Sequence, residues 1–218
     1  MRNSEKITYI LLLIVLSAFA SFYKIPSGDH WTHIAQGLYI IDSGTIPDVD
    51  VHSFTYAGTP WMNWEWLHNL MQASFWRLSE DFGVIFFRFL QIAALLILFF
   101  LYLVRRTERP LLSFFSSIAL LLLTLPRLND RPHVFAYVCM AAIFLIMAFP
   151  QQMKWRSFAG LIAVLVVWRN AHPSWPLGIA LMGVLFLDAY REEGPSLLPL
   201  PPRKILLAMA GMFFWFFY

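Results

Sequence analysis

Charged residues are scarce in this 218-residue sequence, and their scarcity excludes an ordinary water-soluble domain. Lys, Arg, Asp and Glu make up 13% of the chain, whereas hydrophobic residues make up 59%. Soluble domains usually carry about 25% charged residues. With a mean hydropathy of +0.62, the chain has too little polar surface to cover a folded domain in water. The composition therefore predicts an integral membrane protein whose solvent is the lipid bilayer.

Cysteine pairs and clustered basic residues are also lacking. The single cysteine, Cys139, excludes an internal disulfide and provides no metal-ligand spacing. The net charge of +3 is spread over short segments without interleaved stacking aromatics, so nucleic acid is not a predicted partner. Residues 7–22 follow basic residues but lack a small-x-small cleavage motif, which favours a retained first span over a cleaved signal peptide.

Seven apolar runs are candidates for membrane spans, which need roughly 20 mostly apolar residues. They lie near residues 7–24, 82–104, 111–126, 133–150, 157–170, 174–190 and 204–218. We expect residues 1–218 to form a single all-α membrane module. With the N-terminus inside, ten of the 16 Lys and Arg residues fall in inner segments and five in outer ones. This bias predicts a cytoplasmic N-terminus and a periplasmic or extracellular long loop.

The long loop comprises residues 23–81 and is rich in tryptophan. Apolar residues recur at helical spacing over residues 31–41 and again over 64–78. Two amphipathic helices that lie in the membrane interface fit this pattern.

Two groups of polar residues in this loop are candidates for chemistry. Asp29 could take a proton from a hydroxyl or hold a divalent cation, with His30 and His33 beside it; alternatively it caps the interfacial helix. Glu65 lies between Trp64 and Trp66, surroundings that could raise its pKa, although an aromatic belt with an exposed glutamate explains the same pattern.

Two further polar groups lie at short junctions predicted to face the same side. Arg127, Arg131 and His133 could bind a phosphate or pyrophosphate, or the loop could hold a simple Arg–Asp ion pair. His172 lies in a short polar junction that has to face water or the other loops. Arg88, inside the second span, is interpreted first as snorkelling to the outer headgroups and second as an inward arginine that binds a lipid phosphate.

Together these groups resemble a bacterial family of polytopic, GT-C-like membrane glycosyltransferases. Residues 29–37, DHWTHIAQG, are similar to that family's D-x-W-W-H-x-A-T-G stretch. The likeness continues through residues 44–47, 50–55, 58–61 and 65–67. It includes the R-P-H-x-F element at 131–135 and the N-x-H element at 170–172. Thr32 stands where the family usually has tryptophan, and Trp64 where it usually has histidine.

The resemblance implies a catalytic acidic residue in the first external loop, which matches Asp29, and a second acidic element, which matches Glu65. It also implies a polyprenyl-phosphate sugar as donor and the bacterial inner membrane as location. The residues expected to bind this substrate are His30, Trp31, His33, Trp61, Trp66, Arg131, His133 and His172. Members of the family are longer, so the chain is interpreted either as a piece of such a protein or as a reduced form.

Three functions remain open at this stage. The first is a glycosyltransferase that uses a lipid-linked sugar. Its cofactor is unknown and could be a divalent cation. The second is a non-catalytic subunit that packs through its helices against partner subunits of a membrane complex. A transporter or channel ranks last, because apart from Arg88 the spans lack charges at mid-membrane.

Overall fold

The computed structural model describes residues 3–22, 28–149 and 153–193, and these residues form seven α-helices. The helices are α1 (Asn3–Ser21), α2 (Asp29–Ser43), α3 (Trp66–Thr107), α4 (Pro110–Thr124), α5 (His133–Ile146), α6 (Trp155–Ala171) and α7 (Pro176–Glu193). A 3-10 turn over Leu125–Arg127 extends α4. Among the described residues the only extended pairing is an isolated bridge between Val49 and Pro60. The prediction of an all-α protein is confirmed.

Helix α3 is broken, and its two parts fold against each other. The backbone leaves the helical conformation at Ser79 and at Glu80, where φ is +48°. We call residues 66–78 the short arm of α3 and residues 81–107 its long arm. The rings of Phe75 and Phe87 stack at 5.1 Å, although a continuous helix would separate these residues by about 18 Å along its axis. The short arm therefore runs back along the long arm.

Two glycines permit the close approach of these segments. A Cβ at Gly83, on the long arm, would lie 1.8 Å from the backbone oxygen of Phe75 on the short arm. A Cβ at Gly37, on α2, would lie 2.0 Å from the backbone oxygen of Asn69 and 2.5 Å from Cβ of Ala73. Any side chain at either position would push the helices apart. The two predicted interfacial helices, α2 and the short arm, thus pack directly on each other.

Three of the described helical segments are long and apolar enough to cross a membrane. They are Ser4–Ser21, Trp66–Thr107 and Pro110–Arg127. Because α3 reverses at its break, the long arm is the part that would cross. The apolar helices Pro132–Ile146 and Pro176–Asp188 are shorter. An arrangement of seven spans stays a prediction, and its last member, residues 204–218, lies outside the described residues.

The apolar core is centred on the long arm. Leu13 of α1 and Leu121 of α4 pack against it in one buried cluster that includes Phe100. A second cluster joins α5, α6 and α7 around the fully buried Trp168. These contacts hold the loops at one end of the helices beside one another, which is where the polar residues meet.

Arg88 lies inside the protein, so its interpretation as snorkelling to the headgroups was wrong. The inward direction of the alternative is confirmed, but the partner of the guanidinium is a carboxylate rather than a lipid phosphate. Only 1% of the residue is exposed. Its Nε donates to Oδ1 of Asp130 at 2.8 Å, its Nη2 pairs with Oδ2, and its Nη1 donates to the backbone oxygen of Ser21 at 2.9 Å. The guanidinium thereby joins the end of α1, the long arm and the α4–α5 loop. A buried arginine needs such a partner, because an unpaired charge is costly away from water.

Candidate active-site cleft

A cleft of about 520 Å³ lies where α2, the start of α3 and two junctions between helices converge. We call it the histidine cleft. Its lining residues are Asp29, Thr32, His33, Gln36, Trp61, Met62, Asn63, Trp64, Glu65, Arg131, Pro132, His133, His172 and Pro173. Both predicted catalytic carboxylates and five of the eight predicted substrate-binding residues are therefore in one place. The structure brings them together from four separate stretches of sequence.

Asp29 forms an ion pair across the cleft with Arg131. Nη2 of Arg131 lies 2.6 Å from Oδ2 of Asp29, and both side chains are well exposed. The capping role considered for Asp29 was wrong, because Gly28 is the N-cap of α2 and no side chain caps that helix. The alternative of an Arg–Asp ion pair within the α4–α5 loop was also wrong. Asp130 pairs instead with Arg88, which leaves Arg131 facing the cleft.

Glu65 lies between two histidines. Its Oε2 is 3.9 Å from Nδ1 of His33, and its Oε1 is 4.0 Å from Nε2 of His172. Burial, reinforced by the negative charge of Asp29, raises the pKa of Glu65 above its ordinary value. Glu65 therefore holds a proton more readily than an exposed glutamate does.

The two histidines beside Glu65 are uncharged at neutral pH. Burial lowers the pKa of His33, despite a hydrogen bond to Asn69 that opposes the shift. Burial also lowers the pKa of His172 to about 4, with smaller contributions from His133 and His33. Each ring therefore has one protonated nitrogen and one nitrogen with a lone pair at pH 7. Both can take part in proton transfer without first losing a proton.

A fully buried amide, Asn69 of the short arm, organises one wall of the cleft. Its side chain hydrogen-bonds His33 at 2.9 Å, Gln36 at 2.6 Å and Asn63 at 3.2 Å. Because Asn69 is 0% exposed, these bonds do not compete with bulk water. The side chains of the wall are consequently held in fixed orientations.

Three predicted substrate-binding residues lie outside this cleft. His30 is fully buried and hydrogen-bonds Gln72 of the short arm at 2.9 Å. Trp31 is 56% exposed and meets the ring of His30 edge-on. Trp66 donates through Nε1 to Asn170 at 2.9 Å and lines a neighbouring cleft of about 560 Å³. Trp61 borders both clefts.

Sequence reasoning missed several residues of the cleft. Gln36 could have been found, because Asp29, His33 and Gln36 follow the i, i+4, i+7 spacing of one helical face. Asn63 and Asn69 carry no such signal, because their role depends on contacts between α2 and the short arm. Nothing in the local sequence indicates that Asn69 meets His33 or that Asn63 meets Asn69.

The carboxylates and histidines of the cleft are not arranged as a set of metal ligands. Within the described parts of the chain, no group of three or more His, Cys, Asp or Glu side chains is arranged to hold a metal ion. The carboxylate of Asp29 contacts a guanidinium instead. The divalent cation considered from the sequence therefore stays a prediction, and no step proposed below requires one.

The likeness to GT-C-like glycosyltransferases rests on the motif residues alone. The chain matches no protein-family profile, no curated protein and no solved structure.

Proposed function

We propose that this chain is a GT-C-like membrane module that transfers a sugar from a polyprenyl-phosphate donor to a hydroxyl acceptor. The reaction would take place on the outer face of a bacterial inner membrane, with the N-terminus cytoplasmic and all seven predicted spans in the bilayer. The observation that carries the proposal is the meeting of Asp29, Glu65 and Arg131 with three histidines in one cleft.

The chemistry of the cleft divides between its two ends. The guanidinium of Arg131 can bind the donor phosphate through two hydrogen bonds, with Asp29 orienting it in the absence of donor. His133, beside Arg131, supports the same end. Glu65 and the neutral histidines supply proton-transfer groups for the acceptor hydroxyl. The indole of Trp61 provides an apolar face for a sugar ring.

Transfer can be measured with purified protein in lipid nanodiscs and a fluorescent polyprenyl-phosphate sugar. We expect Glu65→Gln to lower the rate by roughly 10²–10⁴-fold, the usual contribution of a positioned acid or base. Asp29→Asn should lower the rate as well, because Arg131 loses the carboxylate that orients it. Asp42→Asn is the matched control, because Asp42 lies on the same helix but pairs with Arg77 at the exposed surface. We expect its rate to stay within twofold of the parent. Equal rates in the parent and both cleft variants would refute the proposal.

A non-catalytic subunit of a membrane complex is the second candidate. The apolar faces of α1 and α4 favour it, because only 17% of each spanning segment is buried within the protein. Those faces would then pack on partner subunits rather than on lipid. Co-purification with a larger assembly in fixed stoichiometry, together with absence of transfer in the isolated chain, would support this candidate over the enzyme.

A further inference from the structure

The hydrogen bonds behind the histidine cleft determine which ring nitrogen of His33 carries the proton. The backbone N–H of Glu65, which can only donate, points to Oδ1 of Asn63 at 3.3 Å. The group of Asn69 that faces the same oxygen, at 3.2 Å, must therefore be its NH₂. Its other end, Oδ1, then faces Nδ1 of His33 at 2.9 Å and can only accept. The proton of His33 accordingly lies on Nδ1, and Nε2 holds a lone pair.

The opposite tautomer is set on His172. The backbone N–H of Ser174 donates to Nδ1 of His172 at 3.1 Å, so this nitrogen holds the lone pair. The ring proton of His172 therefore lies on Nε2, the atom 4.0 Å from Glu65. Of the two histidines beside Glu65, His33 thus has a proton acceptor at Nε2, whereas His172 has a hydrogen-bond donor at its own Nε2.

We infer that His33 is the group that takes the proton from the acceptor hydroxyl, through Nε2, and that Asn69 is the residue that positions it. This inference rests on the proposed function and names the base for it. The arrangement has the parts of a carboxylate–histidine pair. Asn69 accepts the Nδ1–H bond that fixes the ring, and Glu65, 3.9 Å from the same nitrogen, provides the negative charge that stabilises the imidazolium.

The other carboxylate of the cleft is less suited to this role. Asp29 is held by Arg131 at 2.6 Å, and taking a proton would remove the charge that this contact depends on. The neutral His33 needs no partner to leave before its Nε2 can accept. Its lowered pKa keeps it unprotonated at neutral pH.

The step balances without a further reactant. The acceptor O–H bond breaks, its proton moves to Nε2 of His33, and its oxygen forms a bond to the anomeric carbon of the donor sugar. The bond between that carbon and the phosphate oxygen breaks, and its electron pair leaves with the polyprenyl phosphate. The imidazolium of His33 then releases the proton to water through the open cleft.

The first test reads the tautomers directly, independently of activity. We would label the histidines with ¹⁵N and record long-range ¹H–¹⁵N spectra in nanodiscs at pH 7.5. We expect the Nδ1–H pattern for His33 and the Nε2–H pattern for His172. Asn69→Leu should move His33 to the Nε2–H form or a mixture, whereas Asn69→Asp, which keeps an acceptor oxygen, should preserve Nδ1–H. Unchanged His172 signals in both variants would show that the fold is intact.

The second test measures transfer. We expect His33→Ala to reduce the rate by roughly 10²–10⁴-fold and added imidazole to restore part of it, because the free base can enter the space that the ring occupied. The control is His52→Ala, since His52 packs beside Tyr39 away from the cleft. Its rate should equal that of the parent. We also expect the rate of the parent to fall at low pH as His33 becomes protonated.

The pH profile depends on every charged or titratable group near His33. These groups are Asp29, His30, Glu65, His68, Arg131 and His172. Replacing Glu65 with Gln should therefore shift the acid limb of the parent profile to lower pH, because the imidazolium loses its stabilising charge.

The outcomes separate the two claims. If the parent transfers sugar but His33 carries its proton on Nε2, the inference is overturned and the proposed function stands. The same holds if the His33→Ala variant transfers sugar as fast as the parent. A parent without transfer under any condition would overturn the proposed function and the base role together. In that case the NMR spectra alone would test the tautomers assigned to His33 and His172.

Discussion

Replacing the buried Arg88 with methionine should destabilise the protein strongly. Met fills a similar volume but makes none of the hydrogen bonds of the guanidinium to Asp130 and Ser21. Asp130 is 5% exposed, so the change leaves a carboxylate buried without its countercharge. Removing one partner of such a pair typically costs about 3–5 kcal/mol. We expect the equilibrium constant for unfolding to rise by roughly 10²–10⁴-fold, since about 1.4 kcal/mol corresponds to a factor of ten.

The double variant Arg88→Met with Asp130→Leu should recover most of this loss, because apolar replacement of both partners of a buried pair is often neutral or stabilising. Unfolding would be followed by tryptophan fluorescence in detergent micelles as the mole fraction of sodium dodecyl sulfate rises. Arg77→Met is the matched control. Arg77 pairs with Asp42 at a similar distance, 2.8 Å, but at the exposed surface, where such pairs contribute little.

Two results would refute this reasoning. If Arg88→Met destabilised the protein no more than Arg77→Met, burial of the pair would not control its energy. If the double variant were as unstable as the single one, the loss would come from packing around residue 88 rather than from the unpaired carboxylate.

Three further changes test other parts of the structure. Gly37→Ala should destabilise the protein by about 1–3 kcal/mol in the same titration, because its Cβ would lie 2.0 Å from the backbone oxygen of Asn69. A stability equal to the parent would mean that α2 does not pack this closely. Glu80→Gly should raise the unfolding midpoint, and Glu80→Ala should not, because only glycine adopts φ +48° with ψ −127° without strain. His172→Gln should flatten the pH dependence of stability between about 4 and 6.5. In the parent, the unfolded state binds a proton in this range that folded His172 does not, so stability should fall as pH falls. An equally steep profile in the variant would contradict the low pKa.

The positions of the helices could be predicted because they depend on local composition. Apolar runs of sufficient length form helices, in which every backbone polar group is satisfied within the segment. The run predicted at 82–104 lies within the long arm of α3, and that predicted at 157–170 lies within α6. The amphipathic spacing over residues 31–41 likewise located α2.

The site could be predicted only in part. Asp29 and Glu65 were identified as the acidic residues, and the structure places both in one cleft. His30 was grouped with Asp29 because it is the next residue. One step along a helix, however, turns a side chain by about 100°, and His30 points into the core while Asp29 faces the cleft. Adjacency in sequence does not indicate a shared face.

The features that could not be predicted from the sequence depend on contacts between distant segments. The composition of the chain was enough to predict helices long and apolar enough to cross a membrane, and the described residues contain three of them. Burial in lipid requires such runs whatever their order. The partner of Arg88 is different, since Asp130 lies 42 residues away and reaches it only after α4 has turned the chain back. The reversal at Glu80 and the tautomer of His33 depend in the same way on groups that become neighbours after the helices have packed.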